Sequence, residues 1–331
     1  MEHEVVHVSS DEAGILRDGV IRVYAGLLAD SVHDIDGVSL RTLPRPGEHL
    51  ATIATVNDVH FGETICGYID GDEAGPVFSV AKDAEPYPSM MNRHVVDELL
   101  NLQPDALVVK GDLTSNGTQE EYEQFLACYG DAFGDRMTHV RGNHESYHGL
   151  DVAMSPLQEV WVEGAIVALL DTSRNFAVNG DLSSEQLEAL DELASRADRP
   201  VLVMGHHPIW DARYQARSDD VFGLRPGATE GLLEVFSRRP RLVAYAAGHT
   251  HRTSVLEINA VPFAEIASTK EFPGAWCEYQ IFDEGILQIV HRASHAEALA
   301  WSEKTRAMYA GAFGDYAYGS LGDRCRLIDT H

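Results

Sequence analysis

Gly142-Asn143-His144-Glu145 sets an amide, an imidazole and a carboxylate on three successive residues, directly after the apolar stretch 137–140. Other metal-binding side chains stand in order around this turn. Asp58-Val59-His60 and Gly111-Asp112 come before it, and Gly205-His206 and Gly248-His249-Thr250-His251 come after, each closing an apolar run. The runs, residues 52–56, 105–110, 137–140, 200–204 and 242–246, alternate with helical patterns and so predict a sheet with helices packed outside it. Such sheets place ligands at the carboxyl ends of their strands. Asp58 and His60 are two residues apart, as are His249 and His251, and extended backbone would point both members of a pair the same way. Together the motifs spell a two-metal site.

Taken singly, these residues prove little. Asp-x-His is commonly a turn with a surface histidine, Gly-Asp a strand-to-helix turn, and Asn-His a corner, since Asn tolerates positive φ. The same coincidence at five strand ends reverses that interpretation. His207, beside a motif histidine, reads as structural or supporting, and His94 and His139 as ordinary. Glu145 reads as a solvated glutamate. Arg141 and Arg252 stand close enough to the motifs to touch a phosphate or to form surface ion pairs.

The ordered set resembles the calcineurin-like metallophosphoesterase superfamily, over about residues 51–265. The resemblance implies an α/β (α+β) fold, a four-layer αββα sandwich of two mixed β-sheets flanked by helices. It also implies that Asp58, His60 and His251 hold one metal ion and Asn143, His206 and His249 a second, with Asp112 bridging both. Imidazole, carboxylate and amide donors without thiolate suit Mn, Fe or Zn better than Ca²⁺. A hydroxide shared by two such ions would attack phosphorus in line, with Asp112 and His144 as catalytic residues and His144 as the general acid for the leaving group. Two divalent ions against two carboxylates and one hydroxide leave a charge of about +1, so an acidic protein can still hold an anionic substrate.

Departures from sister groups narrow the substrate. Protein Ser/Thr phosphatases share Arg141-Gly142-Asn143-His144-Glu145, but their second motif carries Asp-Arg-Gly where this chain has Leu113-Thr114-Ser115. Purple acid phosphatases place a tyrosine where Ser115 stands. Gly111-Asp112-Leu113-Thr114, Glu121-Tyr122, His206-His207-Pro208 and Gly248-His249-Thr250-His251 look like the class III cyclic-nucleotide phosphodiesterases. Specificity is expected in residues 61–88, 146–163 and 209–229. The last contains Trp210, Arg213, Tyr214 and Arg217, and its Trp210, Arg213 and Tyr214, with Asn143 and His144, are the expected substrate-binding residues.

Around this domain, residues 1–49 alternate short apolar stretches with turns and end in Pro44-Arg45-Pro46-Gly47, the pattern of a small β-rich extension. Within residues 50–293, helices are expected at 89–102, from Thr118-Gln119-Glu120-Glu121 to about 133, from Ser183-Ser184-Glu185-Gln186 onward, and at 230–238; the two tetrapeptides are capping boxes. Residues 254–266 and 275–290 read as strands completing the second sheet. Residues 294–331 form a helix and an aromatic tail whose Phe313, Tyr316 and Tyr318 are expected in the core rather than around a nucleobase or at a subunit contact.

Composition excludes some functions. A chain of 331 residues with 44% hydrophobic content fills a sizeable core. Its 52 acidic against 25 basic residues, a formal charge of −27, disfavour duplex nucleic acid and anionic membranes as partners. No apolar run approaches the ~20 residues of a membrane span, and Met1-Glu2-His3-Glu4 is unlike a secretory signal, so a cytoplasmic protein is expected. Cys66, Cys128, Cys277 and Cys325 are too dispersed for a zinc or redox motif.

The expectation is a dinuclear metal-dependent phosphohydrolase acting on a small phosphodiester, with 3′,5′-cyclic nucleotide first. Its partner is a small phosphate-ester substrate, and a homo-oligomer stays open. The alternatives are a phosphomonoesterase or nucleotidase, then a nuclease, and a non-catalytic scaffold of the same fold.

Overall fold

A computed structural model describes residues 3–69, 72–81 and 83–330. The N-terminal residues form a three-stranded antiparallel sheet of β1 (Glu4–Val8), β2 (Glu12–Arg17) and β3 (Val20–Ala25), then a hairpin of β4 (Val32–Ile35) and β5 (Val38–Arg41). These are the expected β-rich extension.

The alternating region begins with β6 (His49–Val56), a hairpin of β7 (Ile65–Ile69) and β8 (Asp72–Ser79), α1 (Tyr87–Leu102) and β9 (Ala106–Lys110). It continues with α2 (Gln119–Phe125), which runs through a π turn into α3 (Asp131–Phe133), then β10 (Met137–Val140) and α4 (Asn143–His148). Next come β11 (Leu157–Val162), β12 (Ala165–Leu170), α5 (Ser184–Arg196), β13 (Val201–Met204), α6 (Pro226–Arg238) and β14 (Leu242–Ala247). The chain closes with β15 (Ser254–Ile258), β16 (Val261–Glu265), β17 (Ala275–Phe282), β18 (Gly285–Arg292), α7 (Ala296–Thr305), α8 (Ala312–Tyr318), α9 (Leu321–Arg324) and β19 (Cys325–Ile328).

The two six-stranded sheets are mixed. One has the order β10-β9-β6-β17-β18-β19, the other β11-β12-β13-β14-β16-β15. Alternation along each strand sorts its side chains between layers. On β12, Val167 and Leu169 join Ile53, Val108 and Met204 between the sheets, while Ile166, Ala168 and Leu170 face α5 and α6. Ala54 and Val56 of β6 pack with Val95 and Leu99 of α1 on the far side. The result is the expected αββα order. Inner strands are buried on both faces, which is why they read as continuous apolar runs.

Both capping boxes form: Glu121 N–H donates to Thr118 Oγ1 at 3.2 Å, and Gln186 N–H to Ser183 Oγ at 3.2 Å. Three expectations change. Residues 275–290 do not complete the second sheet, because β17 pairs antiparallel with β6 and carries β18 into the first sheet. A hairpin whose β17 has one apolar face, Ala275, Cys277, Tyr279 and Ile281, suits either sheet, and only the free edge of β6 decides. Residues 65–79, expected to carry specificity but given no element, form the β7–β8 hairpin. The aromatic tail folds into short helices and a last strand, β19, that pairs with β18. Among the described residues no helix is long and apolar enough to cross a membrane, and the four cysteines are free.

The extension packs on Phe282, Leu287 and Ile289 of the first sheet. At that seam His7 is buried, its ring 4.3 Å from that of His291 and its Nε2 3.4 Å from Glu12 Oε1. Burial, and then His291, push its imidazole down to about 4 against the pull of Glu12 and Glu278. The native ring stays neutral where the unfolded one would take a proton. The stability it contributes is therefore present above about pH 6.5 and lost as pH falls toward 4. Urea unfolding at pH 7 and pH 5 is expected to differ by about 2 kcal/mol on this account, and His7→Phe is expected to lack that share.

Candidate metal centre

Strands of both sheets deliver the motif residues to one edge of the sandwich. Asp58 and His60 follow β6, Asp112 follows β9, Asn143 and His144 open α4 after β10, His206 follows β13, and His249 and His251 follow β14. The loops are stitched together, since Asp58 N–H donates to Gly111 O and both Val59 and His60 N–H donate to Asp112 O. The expected extended backbone at the paired residues is not found. Asp58, His60, Asp112, His249 and His251 all have positive φ, between 43° and 71°. Each such residue costs on the order of 1–3 kcal/mol unless its surroundings enforce it. Glycines of the motif turns leave room: a Cβ on Gly142 would overlap Asp112, and one on Gly248 would crowd Asp58 Oδ2.

Asp112 stands at the middle. Its Oδ2 lies 3.4 Å from His60 Nε2 and its Oδ1 3.3 Å from His206 Nε2. Asp58 Oδ1 is 3.4 Å from His251 Nε2. Asn143 Oδ1 is 2.9 Å from His206 Nε2 and 2.8 Å from His249 Nδ1. Donor atoms of Asp58, His60, Asp112 and His251 all fall within 4.8 Å of one another.

Whether these residues suit metal ions is decided by their hydrogen bonds. His206 Nδ1–H donates to Lys110 O at 2.9 Å and His251 Nδ1–H to Glu271 Oε1 at 2.6 Å. In the neutral rings the Nε2 lone pairs then face carboxylate and amide oxygens, an arrangement satisfied by a cation between them. Both nitrogens of His60 and Nε2 of His249 are buried without a hydrogen-bond partner. The residues fit a pair of cations.

Electrostatics point the same way. Burial opposes the charge on Asp112, yet His206, His144 and His60 hold its carboxyl well below the usual range. Burial likewise opposes charge on His206, but Asp112 raises it to about 9, and Asp58 and Glu271 raise His251 to about 10. The carboxylates demand positive charge. His207 lies within reach of His206 and His249, but its Nε2–H donates to Val178 O and its Nδ1 accepts from Thr172 Oγ1. Its nitrogens are taken, so it positions its neighbours.

Other residues at the site carry no motif signal, or were misread. Glu145, expected in solvent, is fully buried and accepts from Thr114 N–H at 2.7 Å, Thr114 Oγ1 at 2.6 Å and Gly142 N–H at 2.7 Å. It ties the Asp112 turn to the Asn143 turn, and its position three residues into the helix was the available clue. Lys270 Nζ donates to Glu63 Oε1 at 2.7 Å and Glu271 Oε2 at 3.0 Å. Glu63 Oε2 in turn lies 3.4 Å from His60 Nδ1. One lysine therefore bridges both carboxylates that stand behind His60 and His251, a relation no local spacing announces.

The expected substrate residues divide. Asn143 and His144 line a cleft of ≈ 710 Å³ together with Asp112, His249 and His251. Trp210, Arg213 and Tyr214 are not among its lining residues. Arg213 pairs with Asp211 and Arg217 with Glu230, because an acidic surface offers each guanidinium a nearer partner. Phe222 is the residue of that segment that reaches the cleft. Arg141 is buried against Asp171 at 2.8 Å, and Arg252 pairs with Glu265 at 2.7 Å.

Two mixed sheets with a nitrogen- and oxygen-donor cluster at their shared carboxyl edge define a metal-dependent hydrolase. The chain belongs to the calcineurin-like phosphoesterases, whose family model matches residues 51–253. It is a hydrolase acting on phosphoric ester bonds. It is 25% identical over 202 residues, 58% of this chain and 77% of the relative, to a probable cyclic nucleotide phosphodiesterase of Synechococcus. It is also 25% identical over 246 residues, 70% of this chain and 86% of the relative, to a probable glycerophosphodiester phosphodiesterase of Arcobacter nitrofigilis. A cAMP/cGMP dual specificity phosphodiesterase of Mycobacterium tuberculosis is 29% identical over 51% of this chain and 55% of its own. The fold is shared with a dimetal phosphatase from Danio rerio, with a TM-score of 0.60 and 14% identity over 74% of this chain and 97% of that one.

Glu145→Gln sets an amide donor against backbone N–H groups. It is expected to lower stability by about 1–3 kcal/mol and to reduce bound metal, read by thermal unfolding and elemental analysis.

Proposed function

We propose that this protein is a phosphodiesterase of small diesters, with a 3′,5′-cyclic nucleotide as the first candidate. Asp58, His60, Asp112 and His251 would hold one metal ion, and Asp112, Asn143, His206 and His249 the other. The donor set suits Mn, Fe or Zn. When bound, the ions acidify a nearby water and offset charge that develops on the phosphate.

His144 is the chain's proton donor. Its Nδ1–H is fixed on Ser115 O at 2.6 Å, its Nε2 lies 4.0 Å from Asp112 Oδ2, and about a third of the side chain is exposed to the cleft. An imidazole N–H can pass its proton to an alkoxide leaving group. Asp112 orients His144 through the His144 backbone N–H, which donates to Oδ1 at 3.0 Å.

The preference for a diester rests on one observation. Among the described residues lining the cleft there is no lysine or arginine, and Lys270 of the adjoining hollow is already paired with Glu63 and Glu271, so the second negative charge of a monoester finds no unpaired lysine or arginine. The names of the Synechococcus, Arcobacter and Mycobacterium relatives support the same choice.

With Mn²⁺ loaded, turnover of cyclic AMP and bis-p-nitrophenyl phosphate is expected to exceed that of 5′-AMP and p-nitrophenyl phosphate; the reverse order would establish a monoesterase instead. Asp112→Ala and His249→Ala are expected to lose metal and activity together. His144→Ala is expected to keep its metal and lose about 10²–10⁴ in kcat on a poor leaving group, and less on p-nitrophenolate. Full activity of that variant on the poor leaving group would remove His144 from the mechanism.

A further inference from the structure

Beyond the metal-binding residues the cleft is aromatic, and its rings come from segments far apart in the chain. Phe222 stacks on the imidazole of His249, with centroids 4.0 Å apart at 30°, and is 48% exposed. Tyr68 of β7, together with Tyr309, Phe313 and Tyr316 near and within α8, supplies further lining. These rings are held in place. Tyr316 donates its hydroxyl proton to Thr250 O at 2.9 Å, between His249 and His251. Tyr309 donates to Tyr68 O at 3.2 Å. Phe313 is buried against both, with centroids 5.5 Å from Tyr309 and 6.2 Å from Tyr316. The C-terminal segment is thus pinned beside the metal ligands, with Tyr316 45% exposed.

The cations close to this wall already have partners. Arg252 lies 5.6 Å from the centroid of Tyr316 and pairs with Glu265, and Lys270 pairs with Glu63 and Glu271. The lining away from the metal-binding residues, Tyr68, Val178, Phe222, Tyr309, Ala312, Phe313 and Tyr316, carries no charged side chain. A substituent bearing its own phosphate or carboxylate would find no compensation there. A polyol would leave most hydroxyls against ring faces, without partners. A quaternary ammonium would meet the guanidinium that already occupies the Tyr316 ring, so these rings form a wall and not a cage.

Resting on the phosphodiesterase reading, we infer that the substituent the site selects is an uncharged aromatic or apolar group, seated against Phe222 and the Phe313–Tyr316 wall. The reacting phosphate then carries the substrate's sole negative charge. Phe222 and Tyr316 determine specificity, and α8 takes part in substrate selection as well as in packing.

The test is a series of p-nitrophenyl phosphodiesters with one leaving group and different second substituents: methyl, hexyl, phenyl, thymidine-5′ and choline. Each kcat/KM of the Mn²⁺-loaded protein is divided by the ester's own uncatalysed rate. Hexyl, phenyl and thymidine esters are expected to exceed the methyl and choline esters by about tenfold or more. Phe222→Ala and Tyr316→Ala, each compared with the unaltered protein at equal metal content, are expected to bring the phenyl-to-methyl ratio toward one. Equal values across the series, or a choline ester hydrolysed best, would overturn the inference and leave the phosphodiesterase reading standing. No hydrolysis of any ester by metal-loaded protein would remove that reading, and the inference with it.

Discussion

Asp112 is a carboxylate 2% exposed to solvent, with one oxygen turned to His60 and the other to His206. Burying such a charge is expensive unless positive charge comes with it. Here it must come from the other sheet as well as its own, because His60 follows β6 and His206 follows β13. Closure of the sandwich at this edge and assembly of the cluster are therefore one event. Five residues held at positive φ, and glycines that tolerate no Cβ, show how far the backbone bends to bring the donors together.

The two halves of the cluster are supported differently. Glu63 and Glu271, bridged by Lys270, stand behind His60 and His251. Behind His206 is a backbone carbonyl, and around it Thr172 and His207 bind each other, with Thr172 Oγ1 accepting the His206 N–H at 3.2 Å. One half is oriented by charge, the other by dipoles. Glu145 joins the turns between them through three hydrogen bonds, and it stays out of the cleft.

Outside the cluster the two ends of the chain serve different purposes. The N-terminal strands cover Phe282, Leu287 and Ile289 on the first sheet, away from the motif loops, and add core. The C-terminal segment returns to the edge that carries the donor cluster: Thr253 N–H donates to Ala317 O, and Tyr316 bonds Thr250 O. Core packing accounts for Phe313 and Tyr318, but the half-exposed ring of Tyr316 sits in the cleft.

What the sequence by itself determined was the layered fold and the residues gathered at its edge. Apolar runs that end in Asp, Asn or His are local signals, and both strand burial and ligand chemistry act on adjacent residues. The sequence was misleading wherever a side chain's role depends on a partner distant in the chain. Glu145 looked solvated because Thr114 is 31 residues away; Arg141 looked able to touch a phosphate although Asp171, 30 residues on, takes it; β17 and β18 could have joined either sheet. Lys270 reaches Glu63, 207 positions away. Only the tertiary structure decided these, because burial and charge compensation are set by which surfaces meet, and no spacing along the chain encodes that.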